Sequence, residues 1–173
     1  MDPYLIVFRI LHIVAGIAWV GSAFFFFYFV EPTARTLGPD AQKFMQHMTK
    51  ERKVDLVMTG LSGIAIVAGG FLYWRASGGF DPDWIATDTG IVLTVGAAFA
   101  LLAFFAGMTL IGPRVRKMEE IGAEAVASGG PPSQEQMTQI TKIQEQLRVI
   151  GTYDFAFLVI AAVAMSIARY VSF

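Results

Sequence analysis

The sequence predicts an all-α fold: an integral membrane four-helix bundle. Three observations carry that reading. Of 173 residues, 55% are hydrophobic and only 16% are charged. The apolar residues fall in long blocks rather than alternating as a half-buried strand would. Four blocks reach the roughly 20 residues that an α-helix needs to cross a ~30 Å hydrocarbon core. A net charge of -1 gives no pull toward nucleic acid. The absence of cysteine removes disulfides, thiolate metal sites, iron–sulfur clusters and covalently attached haem.

The first span covers 4–30. Its opening, MDPYLIVFRILH, lacks the basic n-region of a cleaved signal peptide, and its apolar run reaches Val30, so it is read as a retained membrane helix. The others cover 54–74, 90–111 and 149–171. The first connection holds Arg35, Lys43, Lys50, Arg52 and Lys53, and the third holds Arg114, Arg116, Lys117, Lys142 and Arg148. The second has only Arg75 against Asp81, Asp83 and Asp88. Positive charge stays inside, so both termini are expected outside. Tyr4, Tyr73, Trp74, Trp84 and Tyr170 then form an aromatic belt at the outer interface.

The third connection is expected to be a cytoplasmic helical hairpin over 114–148 that extends the third and fourth spans. RVRKMEEIGAEAVA puts Met118, Ile121 and Ala125 on one helical face, SGGPPS supplies a turn, and Ser133 with Gln136 makes a capping box for the returning helix. In the first connection, DAQKFMQHMTKERK reads as a short amphipathic helix. The first span ends FVEPTAR and the third ends LIGPRVR, a weak internal repeat. Superposing Pro32 on Pro113 lays His12 over Leu93, Arg9 over Gly90 and Trp19 over Ala100, so the repeat does not duplicate the polar residues.

Those polar residues are the candidate site. Arg9, His12, Gly16 and Trp19 form one helical stripe, with Ala15 beside it, and small residues in such a stripe usually face neighbouring helices. One reading makes His12 an imidazole hydrogen-bonded to a carbonyl or hydroxyl across the bundle. The other makes it an axial ligand of haem b, with Arg9 near a propionate and Met165, at matching depth, as sixth ligand. Gly69, Gly70, Gly96, Ala97 and Ala164 at that level would leave room for a flat macrocycle. His47 belongs to the opposite side and is no partner for His12. Two further carboxylates, Asp55 and Asp154, are embedded. They read either as a proton or cation site, or as ion pairs with Lys53, Arg52, Arg148 or Arg114.

The LH near the start of the first span, the following AWVG, and the aromatic run closing in PTAR resemble the CopD-like superfamily of small membrane proteins. That superfamily includes copper-resistance D domains and the HemJ-type protoporphyrinogen oxidases. The resemblance covers about 9–35. It implies a bundle of four or more helices with a histidine on the first; in the HemJ type the histidine matching His12 is thought to hold b-type haem. This chain lacks an intramembrane lysine of the kind associated with HemJ catalysis, and an outward His/Met cluster suited to copper capture. The expected function is therefore binding of haem b in the outer half of the bundle, for electron transfer or sensing. The alternatives are a non-catalytic accessory subunit of a larger membrane complex and a copper or cation transporter. The expected setting is the inner (plasma) membrane, as a multi-pass protein in contact with lipid and with a second copy or a larger complex.

Overall fold

Side-chain caps at Asp2, Asp81, Thr87 and Ser133 satisfy free N–H groups in the first turns of four helices, whereas the helix from Val54 starts at Lys53 without one. In the computed structural model, which describes residues 2–37, 44–45, 47–130 and 132–172, Asp2 accepts from the Tyr4 N–H at 3.0 Å. Pro3 follows at the first helical position, where its missing N–H costs nothing. Helix α1 (Pro3–Phe25) then runs through a π-helical turn (Phe26–Val30) into α2 (Glu31–Leu37). Pro32 explains the wide turn. It has no N–H for the Tyr28 carbonyl, and its ring would crowd that oxygen, so the chain takes in an extra residue and Glu31 N–H reaches back to Phe26 O.

Helix α3 (Val54–Ala76) ends in a turn where Gly78 and Gly79 adopt φ of 63° and 93°. Ser77 closes this turn: its hydroxyl donates to Trp74 O and accepts from Phe80 N–H. A single-turn helix, α4 (Pro82–Ile85), leads through the Thr87 cap into α5 (Asp88–Ala106). A second π-helical turn (Gly107–Ile111) joins α5 to α6 (Gly112–Ala127), again just before a proline, Pro113. Superposing Pro32 on Pro113 lays one wide turn on the other, and Gly112 N–H reaches back to Gly107 O as Glu31 does to Phe26. The weak sequence repeat is thus a repeat of backbone geometry.

Ser133 caps α7 (Gln134–Ile167), and Gln136 reciprocates at the Ser133 N–H, so the expected capping box is present. A 3₁₀ turn (Ala168–Tyr170) finishes the fourth helix. The described residues contain no strand. Of the expected amphipathic helix, residues 40–43 and 46 lie outside the described ones, and His47–Glu51 forms a π-type turn.

Four continuous helices, Pro3–Ala34, Val54–Ala76, Asp88–Ala127 and Gln134–Tyr170, are long and apolar enough to cross a membrane. This is the make-up of a multi-pass membrane protein. The chain forms two antiparallel hairpins, α1 with α3 and α5 with α7, touching each other less extensively. One end of the bundle carries Asp2 and Tyr170, the other the α6–α7 extension.

All four helices meet at one cluster: Ala15 and Trp19 of α1, Ala65 of α3, Ala103 of α5 and Leu158 of α7. Most of its members are alanines, because without water to drive burial helices associate by close backbone approach. Ile13, Val14 and Ile17 of α1, and Val67 of α3, point outward to suit lipid. Nearer the α6–α7 end, Phe27 stacks parallel to Phe155 and lies 3.5 Å from where a Cβ at Gly151 would stand.

Leu158 is the keystone of the cluster at 2% exposure. In lipid the transfer part of a core truncation vanishes, leaving the cavity part, so Leu158→Ala should cost less than the ~2–5 kcal/mol typical of soluble cores. Unfolding in mixed micelles should show a clear loss for Leu158→Ala and none for Ile160→Ala, whose side chain faces outward.

Candidate functional site

His12 sits on α1 facing α3. Its Nδ1 lies 2.8 Å from the carbonyl oxygen of Ala65, which is itself buried. A carbonyl can only accept, so Nδ1 carries a proton and donates, and in the neutral ring the lone pair is on Nε2. Nε2 has no hydrogen-bond partner among the described residues.

The ring is admitted by a missing side chain. A Cβ at Gly69 would stand 2.7 Å from His12 Cε1 and 2.9 Å from Nδ1, closer than real carbon contacts. Gly69 therefore forms the seat of the imidazole, and Ala65, one turn away, its anchor. The carbonyl reading of His12 is realised, in a form that leaves the second ring nitrogen open.

The rest of the stripe divides. Trp19 is buried in the four-helix cluster at 8% exposure. Gly16, one turn from His12, is an open notch: a Cβ there would meet nothing within 4 Å. Arg9 is exposed and has no hydrogen bond or ion pair among the described residues. At the start of the same helix, Arg75 at the end of α3 pairs with Asp2 at 3.6 Å.

Met165 belongs to the other hairpin. Its Cγ lies 3.0 Å from where a Cβ at Gly96 would stand, with Ala161 O and Ala164 Cβ each at 3.3 Å. Two of the glycines expected to make room for a macrocycle are thus occupied, Gly69 by the His12 ring and Gly96 by Met165 and its neighbours. Each hairpin seats one large side chain on a glycine of its partner helix, but in opposite senses: from the first helix in α1–α3, from the second in α5–α7. Gly70 stays open.

The two carboxylates expected to be embedded also depart from the ion-paired reading, and Asp55 is exposed whereas Asp154 is half-buried. Among the described residues neither Asp55 nor Asp154 forms a salt bridge. The cations named as partners are engaged or turned away. Arg148 binds Glu145, Arg114 donates to Gln146 Oε1 at 3.1 Å and to Leu110 O at 2.8 Å, Arg52 is exposed, and Lys53 is exposed in a left-handed conformation. Beside the Glu145 carboxylate the Arg148 guanidinium holds its proton more tightly than usual.

Two features of the site escape sequence reading: the Ala65 carbonyl, since every residue carries one, and the choice of Gly69 among the glycines of GLSGIAIVAGG. The signal available was that His12 needs a small residue opposite it, which Gly69 and Gly70 meet equally.

Gly69→Ala should push the imidazole off Ala65. In a bilayer such an interhelical bond is worth about 0.6 kcal/mol, so the chain should still fold. The slowly exchanging Nδ1 proton of His12 should disappear from nitrogen-edited NMR spectra, whereas Gly16→Ala should leave it in place.

Comparison with protein-family models, with curated proteins and with solved structures finds no match to this chain, so the reading of the site rests on its own geometry.

Proposed function

We propose that the protein is a plasma-membrane protein that binds b-type haem through His12, for electron transfer or sensing. The observation supporting this reading is the state of the imidazole. Its Nδ1–H is held by Ala65 O, leaving Nε2 with the lone pair that an iron requires. A second nitrogen held in this way sets ring orientation and raises ligand basicity.

A porphyrin supplies four of its iron's donors, so one protein nitrogen is sufficient. A bare ion needs several side chains, and no group of three or more His, Asp or Glu is gathered among the described residues. This favours haem over copper or another metal cation as cargo. When bound, the haem would supply one-electron chemistry at its iron. The chain's own residues would do the rest: His12 binds, Ala65 and Gly69 orient it, and the open notch at Gly16 leaves space beside it. Arg9 is free to meet a propionate. Met165 is seated on Gly96, so His12 is the ligand on which the proposal rests.

The same proposal puts both termini outside and the α6–α7 hairpin in the cytoplasm, because the lysine and arginine excess lies in the first and third connections. A cysteine at Ser128, which is exposed, should be shielded from an impermeant thiol reagent in intact cells, and one at exposed Ala76 should be labelled. Ser77 would report poorly, being 1% exposed. The reverse labelling pattern would move His12 to the inner leaflet.

Protein purified from cells supplied with a haem precursor should show a Soret band and reduced α and β bands. His12→Ala should abolish them, and Arg9→Gln should weaken haem retention without altering the ligand field. Met165→Leu tests the thioether: a shifted reduced spectrum with a lower reduction potential identifies it as sixth ligand, and an unchanged spectrum removes it. Colourless wild-type protein that takes up no added haem would leave His12 as an interhelical hydrogen-bonding residue alone.

A further inference from the structure

Asp154 stands on the inward face of α7, one turn from Leu158 of the central cluster and two from Ala161, both buried. It is half-buried, and its Oδ1 is cut off from solvent with no hydrogen-bond partner. Its chain neighbour Phe155 is packed by Phe24, Phe27 and Tyr28 of the first helix and its wide turn. Asp154 itself accepts no hydrogen bond from any of the described residues.

The charged and titratable groups on the elements packed against α7 are committed elsewhere or lie further out. On the first helix, Tyr28 presents its ring to Phe155 edge-on, and Glu31 acts on Arg148. On the third, Arg114 is bound to Gln146 and Leu110 O, Lys117 is paired with Glu120, and Arg116 is exposed. On α3, Asp55 is exposed in the first turn. On α7 itself, Arg148 and Glu145 hold each other. His12 belongs to the half of the bundle nearer the termini. None of these groups forms a hydrogen bond or ion pair with Asp154.

An ionised carboxylate needs donors or a cation in such a place, because desolvation without them costs several kcal/mol. One ligand satisfies a lone carboxyl without any other side chain: a proton. Both π-helical turns, Phe26–Val30 and Gly107–Ile111, touch α7. Through Phe27, which packs against both Gly151 and Phe155, the first of these turns lies level with Asp154, at the end of the spans nearer the α6–α7 hairpin.

We propose that Asp154 is a proton-binding site within the membrane part of the bundle, exchanging its proton with the aqueous phase at the hairpin end. The step is a simple one: the carboxylate accepts a proton from a hydronium ion, whose O–H bond breaks to leave water, and the neutral acid later returns that proton to a water molecule on the same side, regenerating carboxylate and hydronium. The site is separate from the proposed haem site and stands or falls independently of it.

The test is infrared difference spectroscopy of the full chain in lipid nanodiscs, stepping pH between about 6 and 8, where ordinary exposed carboxyls are almost wholly ionised. Wild type should show a protonated-carboxyl C=O stretch that changes with pH. Asp154→Asn should remove it, while Asp55→Asn and His12→Ala should keep it, the latter separating this result from any failure of haem binding. Adding sodium or potassium at constant pH should not displace the band. Asp154→Asn should also fold, since an amide has the shape of the neutral acid. A wild type without the band, a band surviving in Asp154→Asn, displacement by a monovalent cation, or failure of Asp154→Asn to fold would each overturn the proposal.

Discussion

Lipid tails are as apolar as leucine, so this bundle holds together by how closely its helix backbones approach. Ala15, Ala65, Ala103, Ala161 and Ala164 mark the closest passages, and all are buried while many larger side chains point outward. Everything polar inside the bundle is conditioned by that closeness. His12 can reach the Ala65 carbonyl because α1 and α3 run side by side, and its ring fits because Gly69 presents no side chain. Met165 fills the corresponding place in the second hairpin without bringing any polar group. The two hairpins are variations on one packing scheme, and the candidate chemistry lies where they differ.

The prolines impose a second constraint. In a hydrocarbon environment a helix cannot leave backbone groups unpaired, so a mid-helix proline must be absorbed by rearranging hydrogen bonds rather than by opening to water. Both long helices absorb it identically, by a π-helical turn ending just before Glu31-Pro32 and Gly112-Pro113. These turns fall near the level where the spans give way to charged connections. They alter the rotation of the helix below them and set the faces that α2 and α6 present. They also touch the helix that carries Asp154.

His12 and Asp154 show two ways of placing an ionisable group among apolar side chains. The imidazole is bonded through one nitrogen and keeps the other open, a state suited to a ligand. The carboxyl has one oxygen sealed and unpartnered. A histidine can be neutral and still donate, so burial against a carbonyl suits it. A carboxylate has only acceptors, so the same environment suits it only when a proton is added. The difference follows from the chemistry of the two side chains rather than from their depth.

The sequence by itself determined the four membrane-length helices, their approximate ends and the local caps that start three of them. Apolar block length, Asp2 before Pro3, Thr87 before α5, and Ser133 with Gln136 all act within a few residues and need no distant partner. The backbone repeat was legible in outline through its prolines, and the stripe of Arg9, His12, Gly16 and Trp19 through helical spacing. Tertiary structure decided how that stripe divides: Trp19 enters the cluster, Gly16 stays open, and His12 chooses Ala65 and Gly69. It also turned Arg114 and Arg148 toward Gln146 and Glu145, leaving Asp154 without the cation that charge counting would assign it. The reason is that these outcomes depend on lateral helix approach and on particular backbone carbonyls. A carbonyl is the same at every residue, so only the packed fold distinguishes Ala65 from its neighbours.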